Sequence, residues 1–342
     1  MSTPLLNGPR GLDNNPRGFL NGPRGFLKGP RWVELRLHRT ALRATLAALL
    51  LAAALTVFLR WGASAYPPVD VDCFGPCEPT FLGFADGEHL LREAMNKASH
   101  ALLLLPLLVG FFVAGPYTAR ELESGTHQLA WTQSVTPARW LASRLTTAAA
   151  LSTGFALAAM AVFRFGSADL RGSWNMSWAD RGVYEGSGPV LVAYCLFAVA
   201  VGTLTGLLVR RTLLAASLTG LVTGAVLAVL GSVRWQLWPV VQVSGPATTM
   251  EPHWIKARPP GSFMTDTGVT NAAGERFIAR QCTPDQMAHF PCPSDTRITG
   301  WFLDYHPRSH FWYTQFVETG IVLALAAAAA YAAFRVLRRR TA

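Results

Sequence analysis

Charged residues are scarce in this sequence: Asp, Glu, Lys and Arg together make up 15% of its 342 residues. Soluble domains carry about 25% charged residues, because these groups solubilise the protein surface. Hydrophobic residues make up 51% of the chain. The shortage of charge beside this apolar excess excludes an ordinary soluble fold and indicates a membrane protein.

Catalytic motifs are also lacking. The chain contains no G-x-x-x-x-G-K-[ST] phosphate-binding loop, no H-E-x-x-H and no G-x-S-x-G. His306 and His310 are spaced by four residues but flank Pro307, so we expect them in a loop and not as metal ligands. We therefore predict no catalytic residue, no metal site and no ATPase of the chain's own.

Six apolar runs approach the roughly 17 to 25 residues that cross a hydrocarbon core of about 30 Å. They lie near 41–60, 98–116, 144–165, 188–209, 213–233 and 318–337. The sequence therefore predicts an all-α polytopic membrane protein whose six-span domain covers 41–337. A cleaved signal peptide is less favoured, because the first run is longer than a signal core of about 7 to 15 residues.

The distribution of the net charge of +10 predicts the orientation. Arginines concentrate in the N-terminal segment, in 120–144, at Arg210 and Arg211, and in the tail 338–342. The intervening loops are near neutral. Because cytoplasmic loops carry the excess of Lys and Arg, both termini should be cytoplasmic in a multi-pass plasma-membrane protein. The same distribution assigns the basic charge to the membrane surface and not to a nucleic acid partner.

Charged and histidine residues in the predicted spans lie near the span ends, as His100 and Glu318 do near the outer ends, and are absent from the central parts. A transporter driven by protons or ions uses such residues along its path. Their absence favours transport that is energised from outside the membrane domain.

Four of the five cysteines lie in predicted outside loops: Cys73, Cys77, Cys282 and Cys292. Two disulfides are therefore expected, since such bonds persist in oxidising compartments. Cys73 with Cys77 and Cys282 with Cys292 is the local pairing, but cross-pairing and free thiols both remain open.

The loops and termini divide further. Residues 1–31 repeat NGPRGFL-like heptapeptides, whose proline and glycine predict a flexible arm, and whether Met1 is the true start stays open. Residues 32–40 predict an interfacial connecting helix that contacts membrane lipid. Residues 235–317 predict a large extracytoplasmic loop, either a small folded cap or a loop held by a disulfide.

The long apolar run over 188–233 is divided into spans four and five at Arg210 and Arg211, because two arginines at the bilayer centre would cost about 3 kcal/mol each. The connection is a tight turn over Val209 to Thr212. Each of these spans contains a pair of glycines four residues apart, which permits close helix packing. The pairs are Gly202 with Gly206 and Gly220 with Gly224.

The segment 117–143 interrupts the apolar runs with charge. Placing its charged residues in hydrocarbon would cost about 10 kcal/mol, so it must form a hairpin outside the membrane. The stretch TARELESGTHQLAW predicts a brief helix with acidic residues near its start. Gly125 offers a stop, and Thr136 with Pro137 predicts the start of the next helix.

Together these features resemble an ABC-2 type ABC transporter permease of the kind abundant in actinobacteria. The resemblance lies in RWVELRLHR, PLLVGFFVAGPYTARELESGTHQLAWTQSVTPARWLASRL, LLVRRTLLAASLTG and DYHPRSHFWYTQFVETG. It covers the chain from about Trp32 to the C-terminus. Loops 61–97 and 235–300 are much less distinctive, and the repeat arm departs from the family pattern.

The resemblance implies that 117–143 is a coupling segment that docks on a separate ATP-binding subunit, with Arg36 and Arg39 in a connecting helix nearby. The residues that match the family's coupling segment are Arg120, Glu121, Glu123, Gly125, Thr126, Gln133 and Arg139. ATP and Mg would then bind to the partner subunit, and a homodimer or a heterodimer with a sister permease would enclose the pathway. A purely structural role for the two glutamates, as caps of the hairpin, stays open.

The expected function is thus that of the membrane-spanning subunit of an ATP-driven exporter. The substrate is open, since such apolar spans suit a lipid-like molecule, a hydrophobic drug or a peptide, and export over uptake rests on the resemblance. The alternative is a membrane-anchored sensor or immunity protein that binds a peptide or drug through its outside loop.

Overall fold

The structure is a computed structural model that describes residues 39–68, 81–125, 136–170, 176–246, 257–278 and 298–341. Cys73, Cys77, Cys282 and Cys292 lie outside these residues, as do the repeat arm and Arg36. The chain divides into two units, Met1–Thr45 and Leu46–Ala342. In the first unit only residues 39–45 are described, and they form the beginning of a helix that starts at Arg39.

Within the described residues, six helices are long and apolar enough to cross a membrane, which agrees with the six-span prediction. The helical elements are α1 (Arg39–Ala65), α2 (Gly87–Leu108), α3 (Gly115–Glu123), α4 (Pro137–Gly166), α5 (Val183–Ser187), α6 (Val190–Val209), α7 (Thr212–Val233) and α8 (His310–Thr341). Spans 1, 3, 4, 5 and 6 are α1, α4, α6, α7 and α8. Span 2 consists of α2, α3 and the segment between them.

Span 2 corrects the prediction in two ways. A π-helical segment, Val109–Ala114, joins α2 to α3, so a continuous helix runs over Gly87–Glu123 instead of 98–116. Pro106 lies just before the π-segment and Pro116 just after it. Proline lacks the N–H that closes an α-turn, and the wider π-turn is a local register change in the same stretch. The separate helix that we expected from residue 118 is therefore the end of span 2, and the acidic residues lie at its C-terminus.

Span 6 also begins earlier than expected. Helix α8 starts at His310, so residues 310–317 are helical and do not belong to the outside loop. The reason is specific packing: Thr314 and Gln315 are fully buried, and the Gln315 amide donates to the Tyr184 carbonyl oxygen at 2.7 Å.

A four-stranded antiparallel sheet occupies much of the segment between spans 5 and 6. Its strands are β1 (Val241–Pro246), β2 (Phe263–Asn271), β3 (Arg276–Ile278) and β4 (Ile298–His306), in the order β1-β4-β2-β3. Phe302 and Leu303 are buried on the central strand β4. This sheet favours the folded-cap alternative for the large loop.

Span 4 forms the centre of the bundle. It is buried over most of its length, whereas the other spans leave much of their apolar surface exposed. Leu191, Cys195 and Ala198 belong to a core shared with spans 2 and 3, and Tyr194 and Val201 to a core shared with span 6. The exposed apolar faces of the outer spans suit a hydrocarbon environment, because lipid tails can cover these faces in place of other protein segments.

Candidate functional site

The first candidate site lies at the end of the bundle where span 2 ends at Glu123 and span 3 begins at Pro137, which we call the hook end. Helix α4 begins here with Thr136 as N-cap, whose hydroxyl accepts from the Arg139 backbone N–H at 3.4 Å. Glu121 and Glu123 lie in the last turn of α3. A helix C-terminus disfavours negative charge, so these carboxylates need compensating partners.

Glu121 finds its partners on span 3. Its carboxylate accepts hydrogen bonds from the Arg144 guanidinium and from the Trp140 indole N–H, the latter at 3.3 Å. The Arg144 side chain is only 8% exposed and its guanidinium carbon lies 4.5 Å from the Tyr117 ring centroid. Because a charge this far from water is costly without an opposite charge, Glu121 holds the end of span 2 against span 3.

Glu123 finds its partner at the start of span 5. Its Oε2 accepts from the Thr212 backbone N–H at 2.9 Å and from the Thr212 hydroxyl at 2.5 Å. The N-cap residue of α7, Arg211, makes no side-chain cap of its own. Glu123 therefore caps another helix, and its negative charge lies at that helix's positive N-terminal end.

The other predicted coupling residues surround these two contacts or lie outside the described residues. Arg120 and Arg139 are exposed at the hook end. Gly125 has φ of +73°, a conformation that glycine adopts at no steric cost, and it follows the end of α3. Thr126 and Gln133 fall in the undescribed residues 126–135. Arg39 is the exposed first residue of α1.

The four glycines of the two predicted pairs in spans 4 and 5 face span 2. A Cβ added to Gly206 would lie 3.0 Å from the Ala119 backbone nitrogen, and one added to Gly202 would lie 2.6 Å from the Ala114 carbonyl carbon. Gly220 and Gly224 face Phe111 and Leu107 of the same span. The small residues thus let span 2 lie close against its two neighbours on the way to the hook end.

A second site, which the sequence reasoning missed, lies at the opposite end of the bundle. The Arg234 guanidinium contacts Glu185 at 2.6 Å and Glu318 at 2.7 Å, and all three side chains are at most 2% exposed. We call these three residues the buried triad. One guanidinium and two carboxylates give the triad a net charge of −1 when all are ionised.

Further contacts tie the triad to three spans and to α5. The Tyr194 hydroxyl of span 4 donates to Glu318 at 2.7 Å, and Glu185 accepts from the Gly182 backbone N–H at 2.6 Å. Arg234 lies 3.9 Å from the Tyr184 ring centroid. Burial is the main cause that raises the pKa of Tyr184, so its hydroxyl stays protonated. The triad therefore fastens the ends of spans 4, 5 and 6 to α5.

The triad was missed because only Glu318 falls inside a predicted apolar run. Arg234 was assigned to the boundary of the large loop, and Glu185 to the loop before span 4. The available signal was local: each of the three has apolar or aromatic neighbours in the sequence, as in SVRWQLW around Arg234. Such a context is unusual for a solvated charge.

The two histidines next to the sheet are satisfied by protein atoms. Their Nδ1 atoms lie 3.0 Å apart, and His306 Nε2 lies 3.0 Å from the Trp235 carbonyl oxygen. Burial lowers the pKa of His306 below 6.5, and His310 lowers it further, against the opposing effect of the Trp235 hydrogen bond. In the described part of the chain, no group of three His, Cys, Asp or Glu side chains could hold a metal ion.

Comparison with known families identifies the family of the chain. The model of the family described as "ABC-2 membrane transporter related" matches residues 46–234, more than half of the chain. That range contains most of span 1, spans 2 to 5 and Arg234. No curated protein and no solved structure matches the chain.

Proposed function

Because the chain belongs to the ABC-2 membrane transporter related family, and is thus a membrane permease component of an ABC system, we propose that it couples ATP hydrolysis to export. The ATP and Mg bind to a separate ATPase subunit, with which permeases of this family normally pair. The chain itself is the transport subunit. Its unidentified substrate crosses the plasma membrane between this chain and a second copy or a sister permease.

One structural observation carries the proposal. The last turn of span 2 is joined to span 3 through Glu121 and Arg144, and to span 5 through Glu123 and Thr212. A displacement of the segment that follows Glu123 is therefore transmitted to spans 2, 3 and 5 together. This arrangement is what a coupling element needs, because energetic coupling is carried by contiguous hydrogen bonds and packed side chains.

The exposed side chains at the hook end suit a protein partner. Arg120 and Arg139 flank the segment 124–136, and both are exposed. Glu121 and Glu123 are already engaged within the chain, so we assign them to transmission and assign docking to the two arginines. The positive charge at this end supports a cytoplasmic hook and cytoplasmic termini.

The experiment is to purify the tagged chain from its native membrane in mild detergent and ask whether an ATP-binding subunit comes with it. The docking variant is Arg120→Glu together with Arg139→Glu. The matched control is Arg181→Glu together with Arg308→Glu, which reverses two exposed charges near the sheet. We expect the subunit to accompany the native chain and the control, and to be lost from the docking variant.

Two results would contradict the coupling proposal or its assignment of the docking surface. If no ATP-binding protein accompanies the native chain, the coupling proposal is wrong and the sensor or immunity alternative takes its place. If the docking variant retains the subunit as well as the control does, the docking surface lies elsewhere on the chain.

A further inference from the structure

The turn between spans 4 and 5 and the end of span 6 form a cluster of arginines. Arg210 and Arg211 make up the turn, and Arg338 to Arg340 lie in the last turn of α8; all five are exposed. The Arg340 guanidinium donates to the Leu207 carbonyl oxygen in the last turn of α6, so the end of α8 lies beside the turn. We call these five residues the arginine cluster.

The length of span 4 sets the depth of this cluster. Helix α6 has 20 residues, which rise about 30 Å and just match the hydrocarbon core. Its end at Val209 is followed directly by Arg210 in the left-handed conformation, and α7 starts at Thr212. Such a tight turn contains no polar stretch that could lift the arginines away from the membrane, so they lie at the level of the lipid headgroups.

Apolar side chains continue from the cluster into the bilayer. Leu208, Leu213 and Leu214 flank the turn and are 48%, 72% and 53% exposed. A guanidinium group beside exposed leucine matches the two parts of a phospholipid, because the phosphate accepts paired N–H bonds and the leucines contact the acyl chain. A soluble acidic protein would match the arginines but would leave these leucines uncovered.

The charge of the cluster is only partly offset within the described chain. None of the five arginines forms a salt bridge with a residue that the structure describes; Glu123, whose carboxylate accepts from Thr212, interacts electrostatically with Arg211 and offsets part of one of the five charges. We propose that the arginine cluster is a binding site for anionic phospholipid headgroups, with the acyl chains held against Leu208, Leu213 and Leu214. This site does not depend on the ATPase proposal.

The test measures lipid selectivity. The purified full-length chain is reconstituted in phosphatidylcholine vesicles, and the immobilised fraction of spin-labelled phosphatidylglycerol is compared with that of spin-labelled phosphatidylcholine. The cluster variant is Arg211→Gln with Arg338→Gln and Arg339→Gln, which spares the left-handed Arg210 and the Arg340 contact. The matched control is Arg181→Gln with Arg258→Gln and Arg308→Gln, three exposed arginines of the loops near the sheet.

We expect the native chain and the control to prefer phosphatidylglycerol by about fivefold. The cluster variant should lose most of that preference. No preference in the native chain, an unchanged preference in the cluster variant, or an equal loss in the control would each overturn the proposal. The proposal would also be overturned by a cluster variant that keeps its lipid selectivity but no longer copurifies with the ATP-binding subunit. The cluster would then be a protein-binding surface.

A second measurement uses the native chain alone, so it stands even if the cluster variant does not fold. Raising the salt concentration to about 1 M shortens the screening length to about 3 Å. The preference for phosphatidylglycerol should then fall toward unity. A preference that persists unchanged at this salt concentration would contradict an electrostatic headgroup site.

Discussion

The carboxylate of Glu123, at the end of span 2, caps the helix that begins at Thr212, at the start of span 5. These residues are 89 positions apart in the chain, yet one oxygen of Glu123 accepts both the backbone N–H and the hydroxyl of Thr212. Two spans that are separated in sequence by two others are thus joined at the hook end.

Removing this cap should uncouple the transporter without unfolding it. We predict that Glu123→Ala keeps the ATP-binding subunit but lowers the transport-linked ATPase activity of the complex by about fivefold. Glu123→Gln retains an acceptor oxygen, so its ATPase activity should lie between those of the native chain and Glu123→Ala. The ATPase rate of the complex in vesicles measures the effect. Native activity in Glu123→Ala would show that the cap transmits nothing.

The contact between Glu121 and Arg144 should matter more for stability. Glu121→Ala removes the carboxylate that compensates a nearly buried guanidinium, and we predict a loss of about 2 kcal/mol. The double variant Glu121→Leu with Arg144→Leu removes both charges and should be less destabilised than Glu121→Ala. Thermal unfolding in detergent compares the variants. Equal stability of all of them would mean that the pair carries no net energy.

The buried triad gives the largest expected effect. Arg234→Met leaves two carboxylates buried without their cation and should destabilise the chain by about 4 kcal/mol. Adding Glu185→Gln and Glu318→Gln removes both negative charges and should restore much of the stability. Alkylation of the buried thiol of Cys195, which follows Tyr194 in span 4, provides a local measure of opening and is followed by mass spectrometry.

The expected order of Cys195 alkylation is therefore native slowest, the triple variant intermediate and Arg234→Met fastest. Alkylation of Arg234→Met at the native rate would contradict the role of the triad as a fastening of the three spans.

Glycine substitutions separate close packing from helix propensity. Gly202→Ala places a methyl group against Ala114 of span 2 and should destabilise the bundle by about 2 kcal/mol. Gly220→Ala meets nothing closer than 3.5 Å and should be neutral or stabilising by up to about 1 kcal/mol. Thermal unfolding distinguishes the two, and equal effects would argue against tight contact between spans 2 and 4.

The pH dependence of stability should report His306. Its pKa is lower in the folded chain than the ordinary value of 6.5, because burial disfavours the charged ring. The unfolded chain therefore takes up the proton first, so His306 contributes stability above pH 6.5 that is lost as the pH falls through the lowered pKa. We predict a lower unfolding temperature at about pH 5.5 than at about pH 7.5.

The variant His306→Gln should show a smaller difference between the two pH values. An unchanged difference would assign the pH dependence to other groups.

Much of the architecture was predictable from local sequence. The six spans agree with the apolar runs, because span length and hydropathy depend on consecutive residues and on bilayer thickness. The ends of the spans were harder to predict. Span 2 continues to Glu123 because Ala119, Arg120 and Leu122 are good helix formers, so the helix does not end where the apolar run ends. Span 6 begins at His310 because Gln315 has partners on α5 and α6 that no local pattern could indicate.

The sequence alone determined that this chain has six apolar segments long enough to cross a membrane and that its arginines concentrate at and beyond the ends of those segments, and it predicted that the charged segment 117–143 lies outside the hydrocarbon. These properties follow from the free energy of placing each residue in lipid, which neighbouring residues largely decide. Only the tertiary structure decided that Glu121 meets Arg144, that Glu123 caps Thr212, and that Arg234 joins two glutamates. The partners in these contacts are 23 to 89 positions apart, and only helix packing brings them within hydrogen-bond distance.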